Sequence, residues 1–258
     1  MSLGRKLGSV AANSLSVAME TNGRGFQGFV VELPGAYVRG RMEEEAVAKV
    51  PKEAMSYLKW LGQERAGFPK PRVVQTHRCR LMVEDADCEI LLADDSFQMS
   101  EQEFRHLVEL VKYSGLTFTK LYNSAELKDW VDETRIRTTF YGQNKKTIQE
   151  IFDHVKRTQF YYLSRTGVSF TEDEAEPFMK IRDSGLDRLA GLFRENGNSK
   201  VYELDSESWT LKKVLRRFIW HDRIHGKAIT RILEKQRHLG LTESYEDPFM
   251  FKINSDAR

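Results

Sequence analysis

The chain has 258 residues, 40 lysines and arginines against 38 aspartates and glutamates for a net charge of +2, and a composition 40% hydrophobic, 30% charged and 11% aromatic. That length holds one large domain or two ordinary ones, and that composition excludes wholesale disorder and fibrous sequence. No apolar run approaches the ~18 to 20 residues of a membrane-spanning helix, and the near balance of charge argues against a dedicated nucleic-acid binder.

The first ninety residues read as strands and turns. Leu15 to Glu20, Phe26 to Leu33 and Tyr37 to Arg41 are short β-branched or aromatic runs parted by Asn22-Gly23 and Pro34-Gly35, and a three-stranded antiparallel meander is their simplest arrangement. From Glu43 to Leu61, Ala46, Val50, Ala54, Tyr57, Leu58 and Leu61 recur at steps of three and four, the apolar face of a helix covering the sheet. Pro51 removes a backbone hydrogen bond inside that pattern, so two arms are expected, Glu43 to Val50 and Lys52 to Trp60. Val73 to Val83 and Cys88 to Ala93 are expected to form one more hairpin, hinged on Asp85 and Asp87.

After Asp94-Asp95 the hydrophobic period changes from two to 3.6. Ser100 to Glu103 and Thr147 to Glu150 are capping-box patterns, opening helices that carry Phe104, Leu107, Val108, Val111 and Leu116 in one case and Ile151, Val155 and Tyr162 to Leu163 in the other. A shorter helix fits Leu186 to Phe193, ended by Asn196-Gly197, and the longest runs from about Trp209 to His238, closed by Gly240. The expected architecture is an α+β domain over residues 1–95, with a small antiparallel sheet and one helix, then an all-α four-helix bundle over 96–258.

The stretch Phe218 to Ile229 carries the chemistry. Leu211, Leu215, Phe218, His221, His225, Ala228 and Ile232 fall along one helical stripe, so two imidazoles occupy inward positions that an apolar core rejects unless something satisfies them. Histidines at i and i+4 can reach one metal ion, and they can equally be hydrogen-bonded cleft residues; the pair alone leaves both readings open. His154, on the edge of the inward stripe made by Ile148, Ile151 and Val155, adds a third. Three inward imidazoles from two helices make a facial nitrogen set with open coordination positions, which is the pattern of a catalytic metal centre. His77, His106 and His238 do not share this placement.

Ile148-Gln149-Glu150-Ile151-Phe152-Asp153-His154 with Tyr161 to Arg165, and Trp209 to Leu215 leading into His221-x-x-x-His225, resemble the signature helices of the DinB-like bundles over roughly residues 96 to 245. The resemblance implies one divalent ion (zinc, nickel or iron) held by His154, His221 and His225, and a hydrolase or thiol-dependent transferase acting on a small molecule, with a low-molecular-weight thiol as co-substrate. More weakly, Gly28 to Gly35 followed by Gly40 to Ala46 resembles the strand, Leu-Pro-Gly turn and acidic helix start of HicB-like antitoxin domains over about residues 14 to 62. Pro51 and the lack of a following DNA-binding segment depart from that pattern. A non-catalytic protein, with this module contacting a partner and the bundle serving as scaffold or dimer interface, is the alternative.

Other candidates carry less. Gly23 to Gly28 has G-x-G-x-x-G spacing but precedes a strand and opens no helix, so it reads as a turn. Nine basic residues of the last helix, Lys212, Lys213, Arg216, Arg217, Arg223, Lys227, Arg231, Lys235 and Arg237, are expected on a solvated outer face. Arg223 and Lys227, close in sequence to the histidines, are candidates to receive an anionic substrate, and Trp220, Tyr161 and Tyr162 to line its pocket. The N-terminus shows no secretory h-region, and two cysteines make no disulfide framework, so a cytoplasmic protein is expected. Long amphipathic helices often pair, which makes a homodimer the expected assembly.

Overall fold

The computed structural model describes residues 15–63, 67–139, 142–144, 146–169 and 175–252. Strands β1 (Ser16–Thr21), β2 (Phe26–Val30) and β3 (Tyr37–Gly40) form the expected meander. Its first turn works because Gly23 takes a φ of +84° and the Asn22 side-chain oxygen accepts N–H groups from Arg24 and Gly25. Helices α1 (Glu43–Ala48) and α2 (Val50–Trp60) divide at Lys49, two residues before the expected break, and Pro51 stands in the first turn of α2 where no intrahelical N–H is needed.

The sheet departs from expectation beyond this point. Strand β4 (Arg72–Arg78) pairs in parallel with β1, so the four strands run in the order β3-β2-β1-β4 and the sheet is mixed, not antiparallel. The α1–α2 crossover carries the chain across the sheet and back, and a parallel partner for the free edge of β1 is what such a crossover allows. The expected hairpin between Val73 to Val83 and Cys88 to Ala93 does not form. Instead the N–H groups of Glu89 and Ile90 are held by the Glu20 carboxylate at 2.8 and 2.9 Å, and Gln75 grips Leu91 and Ala93.

Helix α3 (Glu101–Asn123) and helix α4 (Ile148–Ser164) begin at the expected caps, Ser100 with Glu103 and Thr147 with Glu150. Helix α5 (Phe178–Asn196) is longer than the expected Leu186 to Phe193, and α6 (Leu211–His238) ends before Gly240 at φ +69°. Two short hairpins fall between the helices: β5 (Thr138–Thr139) with β6 (Gly142–Gln143), and β7 (Tyr202–Leu204) with β8 (Glu207–Trp209). Helix α6 packs against α3 and α4, and α5 packs against the same two. No helix among the described residues is long and apolar enough to cross a membrane.

One hydrophobic core runs across residue 95. Leu33, Val38 and Tyr57 belong to the same buried cluster as Phe118, Leu163, Leu215 and Ile219, each such side chain contributing roughly 1.5–3 kcal/mol. The reason is that the sheet and α2 seat themselves on α6. The Leu33 to Ala36 turn lies against it so closely that a Cβ on Gly35 would stand 2.5 Å from Ile219 Cγ2. Its basic residues therefore divide: Lys213, Arg216, Arg217 and Arg223 are buried, while Arg231 and Arg237 keep the expected solvent exposure. Arg216 pairs with Asp95 at 2.5 Å, Lys212 with Asp94 at 2.8 Å and Lys213 with Glu207 at 2.8 Å.

Candidate metal centre

Three elements of local chemistry place the histidines. The Thr147 cap starts α4 so that His154 shares a side with the buried Ile151 and Val155. The Thr210 cap, accepting from Lys213, starts α6 so that His221 and His225 stand one turn apart on the side facing α4. One nitrogen from each imidazole then converges, the three within 4.8 Å of one another, and among the described residues no other group of three histidine, cysteine or acidic side chains does so. Ring centroids lie 4.4 Å apart for His221 and His225, 4.7 Å for His154 and His225, and 5.1 Å for His154 and His221.

The donor set suits a divalent ion. Bonds of about 2.0–2.1 Å need ligand nitrogens roughly 3 to 3.5 Å apart, within a side-chain rotation of what is present. At His221 protonation competes little, since burial holds its pKa well below the ordinary value, reinforced by the neighbouring His225 and His154 and by Arg217. A neutral imidazole is the ligating form. The Tyr162 ring stands edge-on to His221 at 5.5 Å and 90°, fixing the imidazole plane.

The histidines lie in a cleft of about 710 Å³ whose walls come from both ends of the chain. The segment from Leu81 to Glu89 contributes one side, and the segment before α4, through Asp132, Arg137 and Lys146, another. Arg137 and Asp85 join these two walls at 2.5 Å. Trp220, Tyr161 and Tyr162 all line this cleft. Trp220 is seated against Phe29 and Tyr37 of the sheet, and Tyr161 lies under the Arg165 guanidinium, 4.3 Å from ring centroid to Cζ.

No family model, curated protein or solved structure matches this chain.

Two of the expected substrate-binding residues are elsewhere. Arg223 and Lys227 each lie two positions beyond a histidine, about 200° around the helix, and so face away from α4. Both bind Glu53 of α2, at 2.8 and 2.6 Å, and Arg223 is fully buried over the rings of Tyr57, Trp60, Phe249 and Phe251. Their expected role as anion receptors at the metal mouth is replaced by a structural one. Asp222 faces α5, where Arg182 binds it through two hydrogen bonds of 3.0 Å, and Asp153 accepts from Gln149. The sequence reading also undervalued Arg217, grouped with the solvated basic residues but lying buried in the cleft wall. Its spacing of four from His221 was the available signal.

Proposed function

We propose that this chain is a metal-dependent enzyme of the DinB-like kind, a hydrolase or thiol-dependent transferase acting on a small molecule. In this reading α3 to α6 are its four-helix bundle, and His154, His221 and His225 hold one divalent ion, zinc, nickel or iron. The observation that carries it is the convergence of three imidazoles, one kept neutral by burial, inside a cleft large enough for a small substrate. The resemblance of the α4 and α6 sequences to the DinB-like signature helices supports it further.

A divalent ion supplies Lewis acidity and eases ionisation of a water or thiol beside it. The protein's own groups do the remainder. Tyr162 and the buried apolar side chains of α6 orient the imidazoles, Trp220 and Ile224 shield that end of the cleft from water, and the Asp85–Arg137 bridge ties its outer walls together. A cytoplasmic setting fits Cys79 and Cys88, which stay unpaired, each thiol pushed above its ordinary pKa by burial.

Elemental analysis of protein purified without a histidine tag tests this. About one equivalent of metal is expected, lost in His221→Ala and in His154→Ala, with turnover of ester, amide or thiol-conjugation substrates lost alongside. A full equivalent of metal in His221→Ala refutes the three-histidine centre. Full metal with no turnover across those substrate classes favours the non-catalytic alternative.

A further inference from the structure

Among the buried cations of α6, Lys213, Arg216 and Arg223 each meet a carboxylate within 2.8 Å. Arg217 does not. Its one hydrogen bond among the described residues runs from Nη2 to the Cys88 carbonyl at 3.1 Å, while Nε and Nη1 have no partner. It is 6% exposed, and its guanidinium lies 4.5 Å from the centre of the Trp220 ring, whose own Nε1–H also lacks a partner. None of the nearby carboxylates pairs with it: Glu207 meets Lys213 at 2.8 Å, Glu20 turns Oε1 to the N–H groups of Glu89 and Ile90 while its Oε2 has no hydrogen-bond partner among the described residues, and Asp87 accepts from the N–H of Cys88.

A guanidinium stays charged at any physiological pH, and burying it with two nitrogens unsatisfied and no carboxylate paired to it is costly, the nearby charges of Glu207 and Glu20 offsetting only part of the loss. Here it lines the cleft one helical turn before His221, next to the Trp220 indole N–H, and among the described residues Nε, Nη1 and that indole N–H find no acceptor. Unsatisfied buried donors of this kind call for a partner from outside the chain, and an anion makes the strongest hydrogen bonds to a guanidinium. We propose that Arg217, with Trp220, forms an anion subsite beside the histidines, and that the molecule taken into this cleft carries a carboxylate. One guanidinium and one indole N–H match a planar monoanion. A phosphate dianion would need more positive charge than this cleft offers, since its acidic lining (Asp85, Asp87, Glu89, Asp132, Asp205 and Glu207) outnumbers Arg217 and the four other cations that line it. This inference rests on the metal-centre reading only for what binds the other end of the ligand.

The test titrates succinic monohydroxamic acid, and its analogue with an uncharged carboxamide tail, into zinc-loaded and metal-stripped protein by calorimetry. The zinc-loaded wild type is expected to bind the acid at least ten-fold tighter than the amide. Arg217→Met should reduce that preference below two-fold with zinc stoichiometry unchanged, and the stripped wild type should keep the preference at lower affinity. Arg217→Gln, run in parallel, retains polar bulk without charge and should behave like Arg217→Met even if the latter folds poorly. Equal binding of both tails by the zinc-loaded wild type overturns the subsite and leaves the metal centre standing. Failure to take up zinc, with an acid preference that Arg217→Gln removes, overturns the metal centre and leaves the subsite standing. No zinc and no preference overturn both.

Discussion

Replacing Glu53 by glutamine removes the charge that two cations of α6 share. In the native chain Glu53 sits 2.8 Å from Arg223 Nη2 and 2.6 Å from Lys227 Nζ, with the Arg223 side chain fully buried. Unit charges about 4 Å apart interact by ~4 kcal/mol at an effective dielectric of about 20. The Lys227 ammonium, 23% exposed, adds roughly 1 kcal/mol after screening. Glutamine returns about 1 kcal/mol by accepting one hydrogen bond. The expected loss is therefore about 3–5 kcal/mol, in the range measured when one member of a buried pair is removed. At roughly 2–4 °C per kcal/mol for a chain of this size, the melting temperature should fall by about 6 to 20 °C. Thermal and urea melts at pH 7 would measure it, with the apolar double variant Glu53→Leu/Arg223→Met expected to recover most of the loss. A Glu53→Gln protein within 1 kcal/mol of wild type, or a double variant weaker than the single, would refute the reasoning. The pH dependence has a definite sign. Burial pushes the Glu53 pKa up, but Lys227 and Arg223 overcome this and hold it below 4.5, so its contribution is complete above about pH 4.5 and disappears as pH falls through the folded value.

Three further outcomes can be checked. Gly35→Ala should destabilise the fold by about 2–4 kcal/mol in denaturant melts, because Gly35 has φ +86° and a Cβ would press on Ile219 Cγ2 at 2.5 Å and on the Trp220 backbone nitrogen at 2.8 Å; a neutral result would mean that the turn does not seat on α6 as described. His221 is held neutral in the folded protein while its unfolded counterpart titrates near 6.5, so metal-free protein should lose stability as pH falls below about 6.5. Melts at pH 8, 6 and 5 should show this dependence weakened in His221→Gln, and parallel profiles would count against it. Folded protein at pH 8 should resist iodoacetamide, since burial raises the Cys79 thiol to about 11 and the Cys88 thiol further; rapid alkylation of either, followed by mass spectrometry, would contradict this.

What was legible in the sequence was local. The caps at Ser100 and Thr147 depend on residues three apart, the break near Pro51 on a single ring, and the histidine pair on one turn of one helix, so each could be read without knowing the fold. What was not legible depended on partners far along the chain. The pairing of β4 with β1 joins segments more than fifty residues apart, and Glu53 meets Arg223 across 170. A basic residue on an amphipathic helix looks the same whether water or a distant carboxylate awaits it, which is why the α6 cations were assigned to a solvated surface. The hairpin of β7 and β8 carried a weak signal that went unread: Asp205-Ser206, both at positive φ, between two short strands.

The way α6 is gripped has a mechanical consequence. Within nine consecutive residues the helix alternates its loyalties: Ile219 and Trp220 meet the Gly35 turn, His221 faces α4, Arg223 is clamped by Glu53, His225 faces α4 again and Lys227 returns to Glu53. An α-helix transmits rotation and axial shift with little give over so short a span. A force that tilted the sheet against α6, whether from a bound molecule or a neighbouring chain, would turn the two imidazoles relative to His154 like teeth on a common shaft. The amino-terminal segment thereby has leverage over the spacing of the histidines through its grip on α6.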